Sequence, residues 1–179
     1  MRVISGTVGG RKLKSPDGDA VRPTTDHVKQ AMFNIIQFDL EGRRVLDLFA
    51  GTGQLGIEAL SRGAREVVFT DQSGTSVSLV KENLKKCGFS AKVIKTDAIS
   101  YLSRGERFDI IFVDPPYDSG LYIPVLEQIK AVDNLTEGGI IICETRSGEA
   151  LPDLQPPYRK IREKQYGSVQ ICIYTREVQ

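Results

Sequence analysis

The chain is poor in histidine, in cysteine and in long apolar runs, and each shortage excludes a class of protein. Of its 179 residues one is histidine, His27, and no Gly-x-Ser-x-Gly accompanies it, so a Ser-His-Asp triad is not expected. Cys87, Cys143 and Cys172 lie far apart and form no Cys-x-x-Cys pair. With so few His and Cys ligands no metal site is expected, and the thiols are read as small buried side chains. The longest apolar runs, such as Ile110–Val113 and Ile140–Cys143, have the length of strands. They fall far short of the ~18 to 20 residues of a membrane span. No apolar segment of leader length follows Met1, so the expectation is a cytoplasmic protein with no membrane partner.

What remains is ordinary globular usage, 40% hydrophobic and 26% charged, in a length that one core can serve. A single domain over 1–179 is expected, with 1–42 as an N-terminal hairpin and helix extension and 43–179 as the core. The net charge of +1 is unevenly spread. Residues 1–44 carry eight basic and five acidic side chains, 45–150 carry 11 and 15, and 151–179 carry five and three. Basic ends around an acidic middle suit a polyanion held beside a reactive centre.

Short apolar stretches flank Gly9-Gly10, which reads as a hairpin over Arg2–Lys14. Thr24 or Thr25 can cap a helix that runs to about Phe38, with Val28, Met32, Ile35 and Ile36 at helical spacing. From Arg43 strands and helices alternate. Strands are expected at 45–49, 67–70, 92–95, 109–113 and 140–144, and helices at 55–62, 76–86, 99–103 and 121–132. Such repetition implies a Rossmann-like α/β fold, a mostly parallel sheet with helices on both faces. Two final strands, 158–166 and 169–174, joined at Gly167-Ser168, read as an antiparallel pair that closes one edge and completes seven strands.

The first of these strands runs into Asp47-Leu48-Phe49-Ala50-Gly51-Thr52-Gly53. Gly51 and Gly53 permit a tight turn and let a ligand lie on bare backbone, with a helix N-terminus aimed at it. With Gly56 they satisfy Gly-x-Gly-x-x-Gly, so a dinucleotide site and an oxidoreductase must be weighed. Asp71, 18 positions past Gly53, suits the ribose of either ligand type. Asp47 separates them: its carboxylate would repel a pyrophosphate and accept a cationic amine or sulfonium. S-adenosylmethionine has both cations and no phosphate. Asp97, ending the third strand, can face the adenine amine.

Asp114-Pro115-Pro116-Tyr117 follows the fourth strand directly, at the sheet edge where open α/β folds bind ligands. The prolines stiffen the loop and free its carbonyls. An exocyclic amine can donate one hydrogen to Asp114 and one to the Pro115 carbonyl, which localises its lone pair, while Tyr117 stacks on the ring. The glycine loop together with this tetrapeptide resembles class I S-adenosylmethionine-dependent amino-methyltransferases. Arg2–Gly6, Arg22–Asp26, Asp47–Gly53 with Leu55–Ala64, Asp114–Tyr117 and Lys164–Gly167 together resemble the RsmD family, over nearly the whole chain.

That resemblance implies methylation of a guanine N2 in 16S ribosomal RNA, free or in the small ribosomal subunit particle, by a monomer that turns S-adenosylmethionine into S-adenosylhomocysteine. Asp47, Phe49, Ala50, Gly51, Thr52 and Gly53 would line the methionine part of the cofactor, Asp71 its ribose, and Asp97 and Ala98 its adenine. Arg22, Thr24 and Thr25 would bridge cofactor and RNA. The chain departs from the family pattern at Gln54, Ser73 and Gln30. Other amino-methyltransferases of the same motif, acting on adenine or a glutamine amide, and an RNA-binding protein without activity are the competing readings. For RNA contact the candidates are Arg11 and Lys12 in the hairpin and Lys160, Arg162 and Lys164. Strand alternation would put the last three on one face with Tyr158 and Tyr166.

Overall fold

The computed structural model describes residues 1–16 and 25–178. Arg22 and Thr24 lie outside the described residues. Helix α1 (Asp26–Ile35) is started by Thr25, whose hydroxyl accepts the Val28 N–H at 3.3 Å, with Asp26 favourable in the first turn. It stops short of Phe38, which is 90% exposed and has no apolar surface to hold another turn. Then follow β1 (Arg44–Asp47), α2 (Gln54–Ser61), β2 (Glu66–Asp71), α3 (Gly74–Cys87), β3 (Lys92–Lys95) and α4 (Ala98–Leu102). The chain continues through β4 (Phe108–Val113), α5 (Tyr122–Val132), β5 (Leu135–Arg146), β6 (Tyr158–Tyr166) and β7 (Val169–Arg176).

The seven strands form one sheet in the order β3-β2-β1-β4-β5-β7-β6. Strands β1 to β5 pair in parallel; β7 runs antiparallel to β5 and β6 antiparallel to β7, as the sequence implied. Strand β5 outruns the expected 140–144 at both ends. Leu135 pairs with Phe108 and Arg146 with Val169, so neighbours on either side carry it past its apolar run. The order turns back between β1 and β4, which opens a crevice at their C-terminal ends.

Helices cover both sheet faces, which is why the central strands are apolar on both. Ile110 and Phe112 of β4 face a cluster with α1, α2 and α3, and Ile111 and Val113 face one with α4 and α5. The three cysteines are buried and unpaired. Among the described residues no helix is long and apolar enough to cross a membrane.

The expected N-terminal hairpin is reduced to one bridge, Arg2 to Lys12, and a few main-chain bonds such as Val3 N–H to Arg11 C=O at 2.9 Å. So short a hairpin needs an outside anchor. Glu58 of α2 supplies it. Its fully buried carboxylate accepts the N–H groups of Ile4 at 2.7 Å and Ser5 at 3.0 Å, and Arg62 Nε at 2.8 Å. Lys29 of α1, also fully buried, lies 3.8 Å from it and donates to the Arg2 carbonyl at 2.5 Å. Burial pulls the Lys29 ammonium below its ordinary range, and Glu58 opposes that pull. Glu58→Ala would strand that ammonium and two amide donors. The expected loss is about 3 to 5 kcal/mol of unfolding free energy in urea titration; a loss near zero would show that the segment is held by packing alone.

Candidate active site

A cavity of about 1180 Å³ opens at the C-terminal edge of the sheet, across the turning point between β1 and β4. It takes its wall from five strand ends. Asp47, Asp71, Asp97, Asp114 and Glu144 all reach it, with Met1 and Pro16 from the N-terminal segment.

Asp47 is buried, and its Oδ2 accepts the Gly56 N–H at 2.9 Å, tying the end of β1 to the first turn of α2. Burial pushes its carboxyl up to about 7, the Gly56 bond pulls it down, and Asp71 adds to the rise. Gly56 has to be glycine: a Cβ there would stand 2.2 Å from the Phe69 ring of β2. Its place in the motif is thus helix-to-strand packing.

Asp71 fastens two loops. Its Oδ2 accepts the Gly51 N–H at 2.9 Å and its Oδ1 the Ser73 N–H at 2.8 Å. Each carboxylate oxygen has a second lone pair, enough for two ligand hydroxyls. Phe49, Ala50, Gly51 and Thr52 line the cavity. Gly53 does not: it caps α2 with φ +80° and faces Val80, so its part is to turn the loop. Gln54, a departure from the family pattern, also lines the cavity. It is 7% exposed, and its Oε1 has no donor among the described residues, so it is open to a ligand donor. Asp97 caps α4 by accepting the Ser100 N–H at 2.9 Å, and Ala98 begins that helix at the cavity. Hydrogen bonds from Ser100, the side chain first, hold the exposed Asp97 carboxyl below its ordinary range.

On the other wall stands the rigid loop Asp114-Pro115-Pro116-Tyr117. The Arg146 guanidinium lies 4.9 Å from the centre of the Tyr117 ring and pairs with Asp118 at 2.8 Å, which holds the ring in place. Tyr117 Oη stands 3.5 Å from Glu144 Oε1. Glu144 was not singled out from the sequence, and Gln54 stood out there only as a departure from the family pattern. Glu144 carried the same signal as the four aspartates, an acid ending an apolar parallel strand.

The proposed RNA contacts are scattered. Thr25 caps α1, Arg11 Nη1 donates to the Lys86 carbonyl at 2.8 Å, and Lys12 is exposed. The shared face expected for Lys160, Arg162 and Lys164 is not formed. The pairing slips between Lys160 and Arg162, so Lys160 stands opposite Tyr174 while Arg162 and Lys164 stand opposite Ile173 and Ile171. The extra residue, Ile161, reverses the alternation. Tyr158 and Lys160 therefore go to one face, and Arg162, Lys164 and Tyr166 to the other. Lys160 Nζ donates to the Leu151 carbonyl at 2.7 Å and pairs with Glu163 at 3.1 Å.

The architecture and the ligand edge define a class I methyltransferase fold. The chain belongs to the RsmD family: the family model described as conserved hypothetical protein 95 matches residues 1–175. Ribosomal RNA small subunit methyltransferase D of Escherichia coli K12 is 34% identical, the match covering 100% of this chain and 91% of that one. YlbH of Bacillus subtilis is 40% identical over 98% of this chain and 99% of its own. The solved structure of Escherichia coli yhhF superposes with a TM-score of 0.88 at 33% identity, covering 100% and 99% of the two chains.

The Asp47 carboxyl, at about 7, lies above its unfolded value of about 3.9. Its stabilising contribution is therefore complete below about pH 4 and lost as pH rises through about 7. Asp47→Asn carries no such proton. In urea titrations it should gain on the wild type in unfolding free energy between about pH 5 and about pH 8. Parallel pH profiles would mean that Asp47 is already ionised in the fold at the lower pH.

Proposed function

We propose that this chain transfers a methyl group from S-adenosylmethionine to the N2 amine of a guanine in 16S ribosomal RNA. One observation carries the reading: the glycine loop of β1 and the Asp114–Tyr117 loop of β4 wall the same cavity. The names of relatives such as the Escherichia coli small subunit enzyme support ribosomal RNA as the substrate.

The residues fit the cofactor. Asp47 and the unsatisfied Gln54 Oε1 would receive its ammonium, Asp71 its ribose hydroxyls, and Asp97 with Ala98 its adenine. When bound, S-adenosylmethionine supplies an electrophilic methyl group on a sulfonium. The protein does the rest by positioning. Asp114 and the Pro115 carbonyl each accept one amine hydrogen, drawing the nitrogen lone pair out of the ring system. Tyr117, clamped by Arg146, stacks on the base. The proton lost from the alkylated nitrogen leaves along the bond already made to Asp114. Tritiated cofactor incubated with 16S RNA and with subunit particles, followed by nucleoside analysis, tests the reading: label in N2-methylguanosine supports it, and label in another nucleoside or in protein overturns it.

Two variants follow from the arrangement. Asp114→Ala should abolish transfer while S-adenosylhomocysteine binds within about threefold, and Asp114→Asn should keep some turnover because its oxygen still accepts a hydrogen bond. Full turnover by the alanine variant would remove the amine clamp. For RNA contact, only Arg162 and Lys164 keep a common face. Changing both to Gln should weaken binding to any RNA about equally and reduce the salt dependence of log K by about 0.7 to 0.9 per phosphate contact. Lys160→Gln should leave the slope alone. Filter binding across a salt series reads both, and an unchanged slope in the double variant would reduce the pair to ordinary surface charge.

A further inference from the structure

Among the described residues, Glu144 is the one carboxylate of the cavity wall that the transfer chemistry leaves without a part. It is 4% exposed, lies near the C-terminal end of strand β5 and lines the cavity. Val113 pairs with Cys143 across β4 and β5, so the next residues along the two parallel strands, Asp114 and Glu144, stand side by side at the same edge. Two tyrosines fix that strand end. The Tyr122 hydroxyl donates to the Glu144 main-chain carbonyl at 2.5 Å, and the Tyr117 hydroxyl lies 3.5 Å from Glu144 Oε1. Tyr117 itself lies between Glu144 and Arg146, which share one face of β5.

Resting on the guanine reading above, we infer that Glu144 accepts the N1–H of the target guanine while Asp114 and Pro115 accept its amine hydrogens, and that Glu144 thereby selects guanine among the amino bases. The amine clamp makes no such choice, because adenine, cytosine and guanine all offer an exocyclic amine. They differ at the ring nitrogens beside it. In guanine one of the two flanking nitrogens, N1, carries a hydrogen; in adenine and cytosine the flanking nitrogen carries only a lone pair. A carboxylate facing the hydrogen gains a charge-assisted hydrogen bond. The same carboxylate facing a lone pair is repelled, and so deep in the wall it has little water to turn to. Sites built around a substrate N–H reject analogues that lack it far more strongly than apolar pockets reject a misfit in size.

The test replaces the target guanine of a short RNA with 2-aminopurine, which keeps the amine in place and puts a lone pair at N1. The wild type should favour guanine over 2-aminopurine in kcat/KM by at least about 100-fold. Glu144→Gln, whose amide can donate to that lone pair, should narrow the preference by about ten- to a hundredfold. A ratio taken within one protein preparation does not depend on how much of it is folded. If the variant turns over neither base, competitive binding read by 2-aminopurine fluorescence should show the same narrowing. An unchanged ratio by either readout overturns the assignment to Glu144 alone. Absence of any methyl transfer to guanine RNA by the wild type overturns the proposed function, and the assignment with it.

Discussion

The buried carboxylate of Glu58 decides where the first turn of the protein goes. Without a charge there, Lys29 could not sit fully buried in α1, and the main chain at Ile4 and Ser5 would have no acceptor inside α2. Isolated buried ions are costly, but this one is answered by an ammonium, a guanidinium and two amides at once. The result brings Met1 to the rim of the cavity, where its sulfur meets the Thr52 hydroxyl at 3.2 Å. The N-terminal extension is thereby part of the ligand chamber, and α2 serves as the common base for the extension and for the glycine loop.

Parallel strands ending on acids give that chamber its character. Five carboxylates at one sheet edge make a region hostile to phosphate and favourable to cations and to N–H donors. Three of them are answered by the fold's own main chain: Asp47 by Gly56, Asp71 by Gly51 and Ser73, and Asp97 by Ser100. The same groups that shape the loops also define the chemistry of what fits between them. On the proposed reading, base selection and methyl transfer fall to neighbouring positions of β4 and β5, one register step from a continuous apolar core.

Much of this was legible in the chain itself. Strand-length apolar runs and capping residues located the sheet and its helices, because parallel strands covered on both faces must be apolar throughout. The glycine loop and the Asp114–Tyr117 loop announced the cavity, because both follow strands at the same edge. Period-two reasoning failed at β6, where one inserted residue, Ile161, inverted the faces beyond it; a bulge leaves no mark in an exposed, mixed-charge strand. Glu144 ends an apolar run as the four aspartates do, but its place next to Asp114 is a fact of strand order rather than of spacing. Gln54 stood out as a departure from the family pattern, but its open acceptor is visible only once its surroundings are folded.

The double grip of Asp71 gives the site a mechanical property. One side chain fastens the turn after β1 to the turn after β2, and the same side chain lines the cavity. Affinity and loop rigidity are therefore a single thermodynamic quantity at this residue: a ligand that engages Asp71 stiffens both turns, and whatever loosens either turn also weakens the ligand. The chamber behaves as a clasp whose pin is also its contact surface.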